Sequence, residues 1–217
     1  MKILDMQQGG TEWHMARAGK VTASEIDSLV SPTLEIRKGQ GPQTYLYKKT
    51  AELIMGYQDE SGGTMAMDAG RTLETIALPW YEFQFGVTVN RVGFVQSDDG
   101  KIGCSPDGMI EGKQCGLEIK CPQAERHLKY LLGGGVPTEY FTQVQFSMFI
   151  TGYPEWVFVS YHPHLPPFVV HAIRSPEAMN VFQSALNDFL PKLEDAEARV
   201  RAMMEAKARR AQREGAA

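Results

Sequence analysis

Three ionisable side chains lie close together in the sequence around a short turn. Asp107 occupies a Pro-Asp-Gly turn, and Glu118 and Lys120 alternate along the apolar run GLEIKC that follows. Successive side chains of a strand point to opposite faces, so this spacing predicts that Glu118 and Lys120 share one face. A hairpin would bring Asp107 beside them. Two carboxylates suit Mg²⁺ or Mn²⁺, and a nearby lysine can orient or deprotonate a water, which is the chemistry of metal-assisted phosphodiester hydrolysis.

The same spacing also has an ordinary structural explanation. Pro-Asp-Gly turns are common, and Glu alternating with Lys is typical of any half-exposed strand. The spacing alone favours that explanation, but two further details favour a catalytic site. The opposite face of the run is apolar, and glycines stand at the bends that a hairpin needs, at Gly108, Gly112 and Gly116.

The composition of the chain limits the classes of protein to which it can belong. The 217 residues are 43% hydrophobic and carry a formal net charge of -4. A negative chain does not coat nucleic acid through bulk positive charge, so any nucleic-acid site must be a local channel. No stretch approaches the roughly 20 apolar residues of a membrane span, and the N-terminus lacks the apolar core of a signal peptide. We therefore expect a cytoplasmic protein of a bacterium or a phage-infected host, with no membrane partner.

Charge and sulfur are unevenly distributed along the chain. From residue 197 onward there are six Lys or Arg and three acids, which is a charge of +3. Because the whole chain has a net charge of -4, the preceding residues carry about -7. We expect one folded domain over residues 1–195 and a basic helical tail over residues 196–217. Cys104, Cys115 and Cys121 are odd in number and form no CxxC pair, which favours buried thiols over a disulfide framework or a zinc site.

Hydrophobic periodicity predicts an α/β domain with a central mixed sheet flanked by helices. The segment VTASEIDSLV is predicted to be a short helix, with Ser24 and Asp27 forming a capping box. A longer helix is predicted from about residue 67 to residue 85, with a kink or a break at Pro79. The β-branched alternation of VTVNRVGFVQ predicts one strand, and EWVFVSY and FVVHAI predict two more.

Four blocks of the sequence also resemble one family. The stretch SPDG…GLEIKCP resembles the PD-(D/E)xK nuclease signature as it occurs in the family of phage lambda exonuclease and the YqaJ-type viral recombinases. QQGGTEWHMARAGKVTASE (residues 7–25) resembles that family's N-terminal block, AGRTLE its acid-bearing helix, and LGGGVPTEYFTQVQFSMFITG its glutamine-containing helix. The resemblance runs from about residue 7 to residue 190. The loop over residues 31–43 and Pro79 depart from the family pattern.

The resemblance implies a restriction-endonuclease-like core and a particular activity. A member of this family is a metal-dependent 5′→3′ exonuclease on linear double-stranded DNA, which releases mononucleotides and leaves a 3′ single strand for annealing-based recombination. The resemblance further implies a two-metal Mg²⁺ site that also works with Mn²⁺, a ring-shaped homotrimer and a single-strand annealing protein as partner. Residues 1–195 would then be the exonuclease domain.

The resemblance also assigns roles to single residues. It gives five catalytic positions: Asp107, Glu118, Lys120, Glu74 and Gln143. Asp107, Glu118, Glu74 and the carbonyl of Ile119 would bind the metals, while Lys120 would position the water. Taken alone, Glu74 is a solvated helix residue, and Gln143 is a polar position on a half-buried helix.

A second group of residues is expected to contact DNA. Arg17 and Ser24 are predicted to bind a terminal 5′-phosphate, because an Arg can hold a phosphate bidentately and a helix start near Ser24 attracts anions. Thr22 belongs to the same block. Met67 could insert at a duplex end or pack in the core, with equal weight. Arg126 could contact the phosphate backbone or form a surface ion pair.

Two other functions are compatible with the sequence. The first is a structure- or site-specific endonuclease of the same superfamily, which the absence of an added recognition domain disfavours. The second is a non-catalytic scaffold that binds DNA ends, which is disfavoured because every expected catalytic position is filled. An intact circular plasmid beside a digested linear one excludes the first, and metal-dependent nucleotide release excludes the second.

Overall fold

The computed structural model describes residues 1–58 and 65–214, except for the side chains of residues 65–72 and 213–214. In this part of the chain the strands are β1 (Lys2–Leu4), β2 (Val21–Thr22), β3 (Val89–Asn90), β4 (Phe94–Gln96), β5 (Ile102–Cys104), β6 (Gly108–Ile110), β7 (Cys115–Lys120), β8 (Glu155–Ser160) and β9 (Phe168–Ile173). The α-helices are α1 (Thr11–Arg17), α2 (Gln40–Met55), α3 (Met65–Phe85), α4 (Ala124–Gly133), α5 (Thr138–Thr151) and α6 (Pro176–Glu214), and a 3₁₀ helix spans Ala23–Ser28.

The strands form two mixed sheets. One has the order β1-β4-β5-β2, and the other has the order β3-β6-β7-β8-β9. In the second sheet β6 and β7 are antiparallel, as a hairpin requires, whereas β7 and β8 are parallel. A parallel pair needs a crossover, and α4 and α5 supply it. The predicted α/β fold with a mixed sheet flanked by helices is confirmed, with two sheets instead of one.

The two faces of the five-stranded sheet are covered by different helices. Leu117 and Ile119 of β7 belong to an apolar cluster that includes Tyr81 of α3. Trp156 and Phe158 of β8 belong to another cluster, which includes residues of α4 and α5. Each large side chain buried in this way contributes about 1.5–3 kcal/mol. Both faces of β7 are therefore covered, and Glu118 lies on the α4–α5 side.

Helix α5 packs between the two sheets. Phe146 and Ile150 join the core cluster of the four-stranded sheet, and Val144 and Met148 join the cluster on β8. A helix that is apolar nearly all round must be buried on several sides, and the sequence of α5 has this character. As a result, α5 holds its polar residue Gln143 at a fixed position above β7.

The predicted strand over VTVNRVGFVQ is wrong, because two strands occupy this segment. β3 pairs with β6 in one sheet, while β4 pairs with β1 and β5 in the other. Gly93 lies between them, where an added Cβ would stand 2.3 Å from the carbonyl oxygen of Met6. The chain changes sheets at this close approach of the N-terminal segment, which strand periodicity does not report.

Three further expectations concern helices. The segment after β2 is a 3₁₀ helix with Thr22 at its N-cap, so the predicted cap at Ser24 is wrong. Helix α3 contains Pro79 and has no break there. Helix α6 continues without interruption across the boundary expected at residue 195.

None of the helices in the described ranges combines the length and apolar character that a membrane span needs. Cys104, Cys115 and Cys121 are free thiols, the first two buried. This agrees with the prediction of buried thiols, although Cys121 is only half-buried.

Candidate active site

The turn before β6 brings Asp107 against the edge of β7. The Asp107 backbone N–H donates to the Leu117 carbonyl at 3.0 Å, and the Ile119 N–H donates to Asp107 Oδ2 at 2.5 Å. The hairpin proposed from the glycines therefore forms. The N–H and C=O of a strand residue point to the same side, so the Ile119 carbonyl also faces the edge where Asp107 lies.

Glu118 and Lys120 meet on one face of β7, as the alternation predicts. Lys120 Nζ donates to Glu118 Oε1 at 2.5 Å, and Gln143 Nε2 from α5 donates to the same oxygen at 2.6 Å. The Lys120 ammonium also lies 5.4 Å from the centre of the Tyr140 ring. Glu118 is buried, at 3% exposure, so these contacts replace its water.

The charges of this cluster shift the pKa values of its members. The pKa of Asp107 is raised to about 8, first by burial and then by the charges of Glu118 and Glu74, while the charge of Lys120 opposes the shift. Burial lowers the pKa of Lys120, but Glu118 and Asp107 outweigh it, so the pKa of Lys120 is raised. Three carboxyl groups thus face one ammonium. A bound cation would lower the pKa of Asp107 by opposing the same repulsion.

A groove of about 860 Å³ opens beside Asp107. Its walls include Glu74 of α3, Ile119 of β7, Trp13 of α1 and Gln8. The Gln8 side chain donates to the Pro106 carbonyl at 2.8 Å, and this hydrogen bond holds the N-terminal segment against the turn. The predicted residues Glu74, Asp107 and Ile119 are therefore brought together along one groove.

The oxygen groups that line this groove, together with the neighbouring Glu118, are suited to a hard divalent cation. Carboxylates of Asp107, Glu118 and Glu74 and the carbonyl of Ile119 are the oxygen ligands that Mg²⁺ prefers. Burial and then the charges of Glu118 and Glu74 raise the pKa of Asp107, and a bound cation would oppose both effects. Within the described ranges, however, no three His, Cys, Asp or Glu side chains are gathered closely enough to hold a metal. The residues fit Mg²⁺ in chemical type, and Glu118 is instead engaged by Lys120 and Gln143.

A second cluster surrounds the guanidinium of Arg17, which is 7% exposed. Arg17 Nη2 donates to Ser24 Oγ at 3.0 Å, and Nη1 donates to Ser105 Oγ at 3.2 Å. Nε donates to Gln58 Oε1 at 3.2 Å, and the Trp13 ring lies 4.2 Å from the guanidinium carbon. The hydrogen-bond partners of this buried cation in the part of the chain described here are neutral.

Ser24 lies near a helix start, as predicted, but the helix is of the 3₁₀ type and only six residues long. The Ser24 hydroxyl accepts from Arg17. A helix dipole therefore does not explain anion binding here, and the guanidinium is the source of positive charge. Burial lowers the pKa of Arg17, and the charge of Glu25 opposes that shift.

Buried charges behind this cluster hold it in position. Lys49 of α2 is completely buried and donates to Glu25 at 2.6 Å and to Glu52 at 2.8 Å. Burial alone would raise the pKa of Glu25, but Lys49 and Lys48 lower it to about 2. Removing one partner of a buried ion pair costs about 3–5 kcal/mol, so these contacts fix α2 against the 3₁₀ helix.

The remaining predicted DNA contacts have mixed positions. Thr22 is buried, donates to Glu25 at 2.9 Å and lies 3.5 Å from Arg17 Nη2, so it supports the guanidinium from behind. Arg126 is 60% exposed and pairs with Glu139 at 3.1 Å, which is the surface ion pair considered from sequence. The side chain of Met67 lies outside the described residues.

Sequence reasoning assigned no role to several residues that the fold brings to these clusters. Ser105 accepts from both Arg17 and the Trp13 indole N–H, the latter at 2.9 Å, and it stands two residues before Asp107. Tyr140 and Gln58 were also not identified. A signal existed only for Ser105, a polar residue directly ahead of the Pro-Asp-Gly turn. Through it, the Arg17 cluster and Asp107 are parts of one continuous site.

Similar proteins were found by sequence and by structure. Residues 12–154 match the family described as the YqaJ-like viral recombinase domain. A protein named ExoD from Escherichia coli K12 is 30% identical over 78 residues, which are 34% of this chain and 90% of that protein.

Solved structures agree with these matches. The alkaline exonuclease LHK-Exo of Laribacter hongkongensis, in a crystal structure with dAMP, is 30% identical and superposes with a TM-score of 0.78 over 90% of this chain and 98% of its own. A phage-related exonuclease of Haemophilus somnus 129PT is 12% identical, with a TM-score of 0.61 over 85% of this chain and 96% of its own, and shares the fold. Because the family match covers residues 12–154 of 217, this chain belongs to the YqaJ-like viral recombinase domain family.

Proposed function

We propose that this protein is a metal-dependent 5′→3′ exonuclease that acts on linear double-stranded DNA. It releases mononucleotides and leaves a 3′ single strand for annealing-based recombination. One observation carries the proposal: a buried arginine with neutral hydrogen-bond partners is joined through Ser105 to the Asp107 turn. A site that holds a phosphate beside a carboxylate cluster is suited to cutting next to a DNA end.

The Arg17 cluster is the pocket for the terminal 5′-phosphate. A buried charge is costly unless it is paired, and the phosphate would bring a negative charge into hydrogen-bond contact with Arg17, in addition to the charges of Glu25 and Glu52. The guanidinium fork can bind two phosphate oxygens, and the hydroxyls of Ser24 and Ser105 add donors beside it. A 5′-hydroxyl end lacks this charge, so the pocket selects phosphorylated 5′ ends and sets the polarity of digestion.

The carboxylate cluster is the hydrolytic centre. Asp107, Glu118, Glu74 and the Ile119 carbonyl would hold Mg²⁺, and the family resemblance implies two metal ions and activity with Mn²⁺. When bound, the metal supplies Lewis-acid stabilisation of charge on the phosphate. Lys120 has a raised pKa and remains an ammonium, so it orients the attacking water and offsets negative charge instead of removing a proton. Gln143 fixes Glu118 and approaches the scissile phosphate.

The relatives support this reaction. LHK-Exo is described as an alkaline exonuclease and was crystallised with dAMP, a nucleoside monophosphate of the kind that mononucleotide release yields. The pKa of Asp107, about 8, supports an alkaline working range, because the carboxyl must lose its proton to bind a metal. By the same resemblance, the working form is a ring-shaped homotrimer that cooperates with a single-strand annealing protein.

Further contacts complete the proposal. Thr22 backs the phosphate pocket, and Met67 and Arg126 contact the duplex near its end. Residues 1–195 form the nuclease domain and residues 196–217 a basic tail. Bacterial or phage DNA ends as substrate imply a cytoplasmic location.

Digestion of linear duplex labelled at the 5′ or the 3′ end, with Mg²⁺ or with EDTA, tests the function. We expect Mg²⁺-dependent release of labelled mononucleotide from the 5′ end first, and none in EDTA. A circular plasmid of the same sequence should stay intact. Cutting of the circle, release from the 3′ end first, or binding without nucleotide release would each refute the proposal.

A further inference from the structure

The C-terminal part of α6 extends beyond the folded body of the protein. Leu193 is the last fully buried residue of the helix, and residues 201–212 are all exposed. We call residues 196–214 the α6 extension. From residue 201 to residue 214 it projects about 20 Å at the rise of an α-helix. Residues 201–212 are therefore open to solvent, which leaves this part of the helix accessible to a molecule from outside the chain.

The α6 extension differs in charge from the rest of the chain. It carries a net charge of +3, while the whole chain carries -4. Its ion pairs are exposed i,i+4 pairs, such as Arg199 with Asp195 at 3.5 Å and Arg209 with Glu205 at 3.8 Å. Exposed pairs of this kind contribute about 0–1 kcal/mol and yield readily to a polyanion.

Four basic residues of the α6 extension lie on one side of the helix. At 100° per residue, Arg199, Lys207, Arg209 and Arg210 fall within an arc of about 160°. Arg201 lies on the opposite side, where its Nη2 donates to the Leu53 carbonyl of α2 at 3.2 Å. Arg201 therefore anchors the helix to the body, and the basic arc faces away from it.

The α6 extension begins beside the elements that support the Arg17 pocket. Leu53, which Arg201 contacts, follows Glu52, and Glu52 accepts from the Gly19 N–H at 2.9 Å. Gly19 is two residues after Arg17 and lies directly against the Leu53 side chain. The base of the α6 extension is therefore anchored to the part of the body that carries Arg17.

We propose that the α6 extension is a second DNA contact, which binds the phosphate backbone of duplex DNA outside the catalytic groove. This rests on the proposed function for the identity of the substrate. Duplex DNA carries one negative charge per about 1.7 Å of its axis, so the length of the basic arc matches several phosphates. On a chain of negative net charge, a positive helix also gives the DNA a local site of attraction. Its role is to retain the duplex while the end is processed.

A triple variant, Arg199→Gln with Lys207→Gln and Arg210→Gln, tests the proposal. Glutamine keeps the helix propensity and removes the charge. Affinity for a blunt 30-base-pair duplex is measured by fluorescence anisotropy in EDTA, from 50 to 400 mM KCl. Each lost phosphate contact lowers the slope of log K against log salt by about 0.9, so the slope should fall by about 2–3. From 50 to 200 mM salt, the wild type should lose roughly 40-fold more affinity than the variant.

A matched control removes the same charge elsewhere. Lys2, Lys113 and Arg174 are exposed, and their triple replacement by glutamine should leave the slope close to wild type. Equal slopes for the wild type and the α6 variant would overturn the proposal. So would a slope that falls equally in the control, or one that falls only with single-stranded DNA of the same length.

The outcome is separable from the nuclease function. A wild type that shows the slope difference but releases no nucleotide with Mg²⁺ would refute the nuclease proposal and support the DNA contact. If the wild type digests linear duplex but has the same salt slope as the α6 variant, the nuclease proposal is supported and the DNA contact of the α6 extension is refuted.

Discussion

Replacing Arg17 with alanine should remove the preference for phosphorylated 5′ ends. The Arg17 guanidinium is buried and its hydrogen-bond partners in the described ranges are the neutral groups of Ser24, Ser105, Gln58 and Thr22. A terminal phosphate brings the opposite charge to it, and a terminal hydroxyl does not. The variant therefore loses an interaction that only one of the two substrates makes.

The geometry sets the size of the effect. Nη1 of Arg17 donates to Ser105 Oγ at 3.2 Å and Nη2 donates to Ser24 Oγ at 3.0 Å, and the same fork would donate to a phosphate oxygen. A hydrogen bond to a charged group contributes about 1.5–3 kcal/mol. Since each 1.4 kcal/mol changes a rate ratio about tenfold, the preference should fall roughly 10- to 150-fold.

The assay compares kcat/KM for two duplexes that differ only in the 5′-phosphate, at one salt concentration. Taking the ratio of the two kcat/KM values for the same protein cancels any loss of folded protein. This matters because Arg17 is buried and its replacement can lower the folded fraction. Arg126→Ala is the matched control, because it truncates an exposed arginine that pairs with Glu139. We expect it to slow both substrates equally or not at all.

An unchanged ratio in Arg17→Ala, with both substrates slowed alike, would refute the end-reading pocket. Arg17 would then be a general contact to the DNA backbone. A ratio that falls equally in Arg126→Ala would refute the assignment of the pocket to Arg17.

Four other predictions follow from the site and the fold. Lys120→Ala should lower the cleavage rate about 100-fold or more while DNA-end binding persists, because the water loses its positioning group; near-normal single-turnover rates would contradict this role. Because the pKa of Asp107 is raised to about 8, a proton competes with Mg²⁺ below that pH. The affinity of the protein for Mg²⁺, measured by calorimetry, should therefore weaken by up to about tenfold per pH unit from pH 8 to pH 6 and level off above pH 8. An affinity that does not change with pH would contradict this prediction. Gly116→Ala would bring a Cβ within 2.3 Å of the Trp156 ring, so the free energy of unfolding measured in urea should drop by about 1–3 kcal/mol. An unchanged free energy of unfolding would show that the ring can move. Light scattering should give the mass of three chains, and a monomer at working concentration would rule out the ring.

The parts of the fold that were predictable from sequence depend on local periodicity. The period of two in β7 correctly set Glu118 and Lys120 on one face, and the glycines correctly indicated the hairpin that brings Asp107 to its edge. Helices α4 and α5 end at Gly134 and Gly152 in the left-handed conformation, and a glycine stop of this kind is also a local signal.

The errors arose where a distant segment overrides the local pattern. The run around Gly93 alternates like a single strand, but contact with Met6 of the N-terminal segment leaves no room for a side chain and divides it between two sheets. Ser24 has the composition of a helix cap, but Thr22 takes that position and Ser24 turns to Arg17.

The sequence by itself determined the chemical groups of this protein: the carboxylates and lysine of the motif, their shared face, and the membership of its family. Side-chain type and strand period are local properties, so they can be read without a fold. Only the tertiary structure decided what these groups contact. Arg17 meets Ser105 across 88 positions, and Gln143 meets Glu118 across 25. Such contacts depend on how α1, α5 and the two sheets pack together, and packing over that separation leaves no periodic signal in the chain.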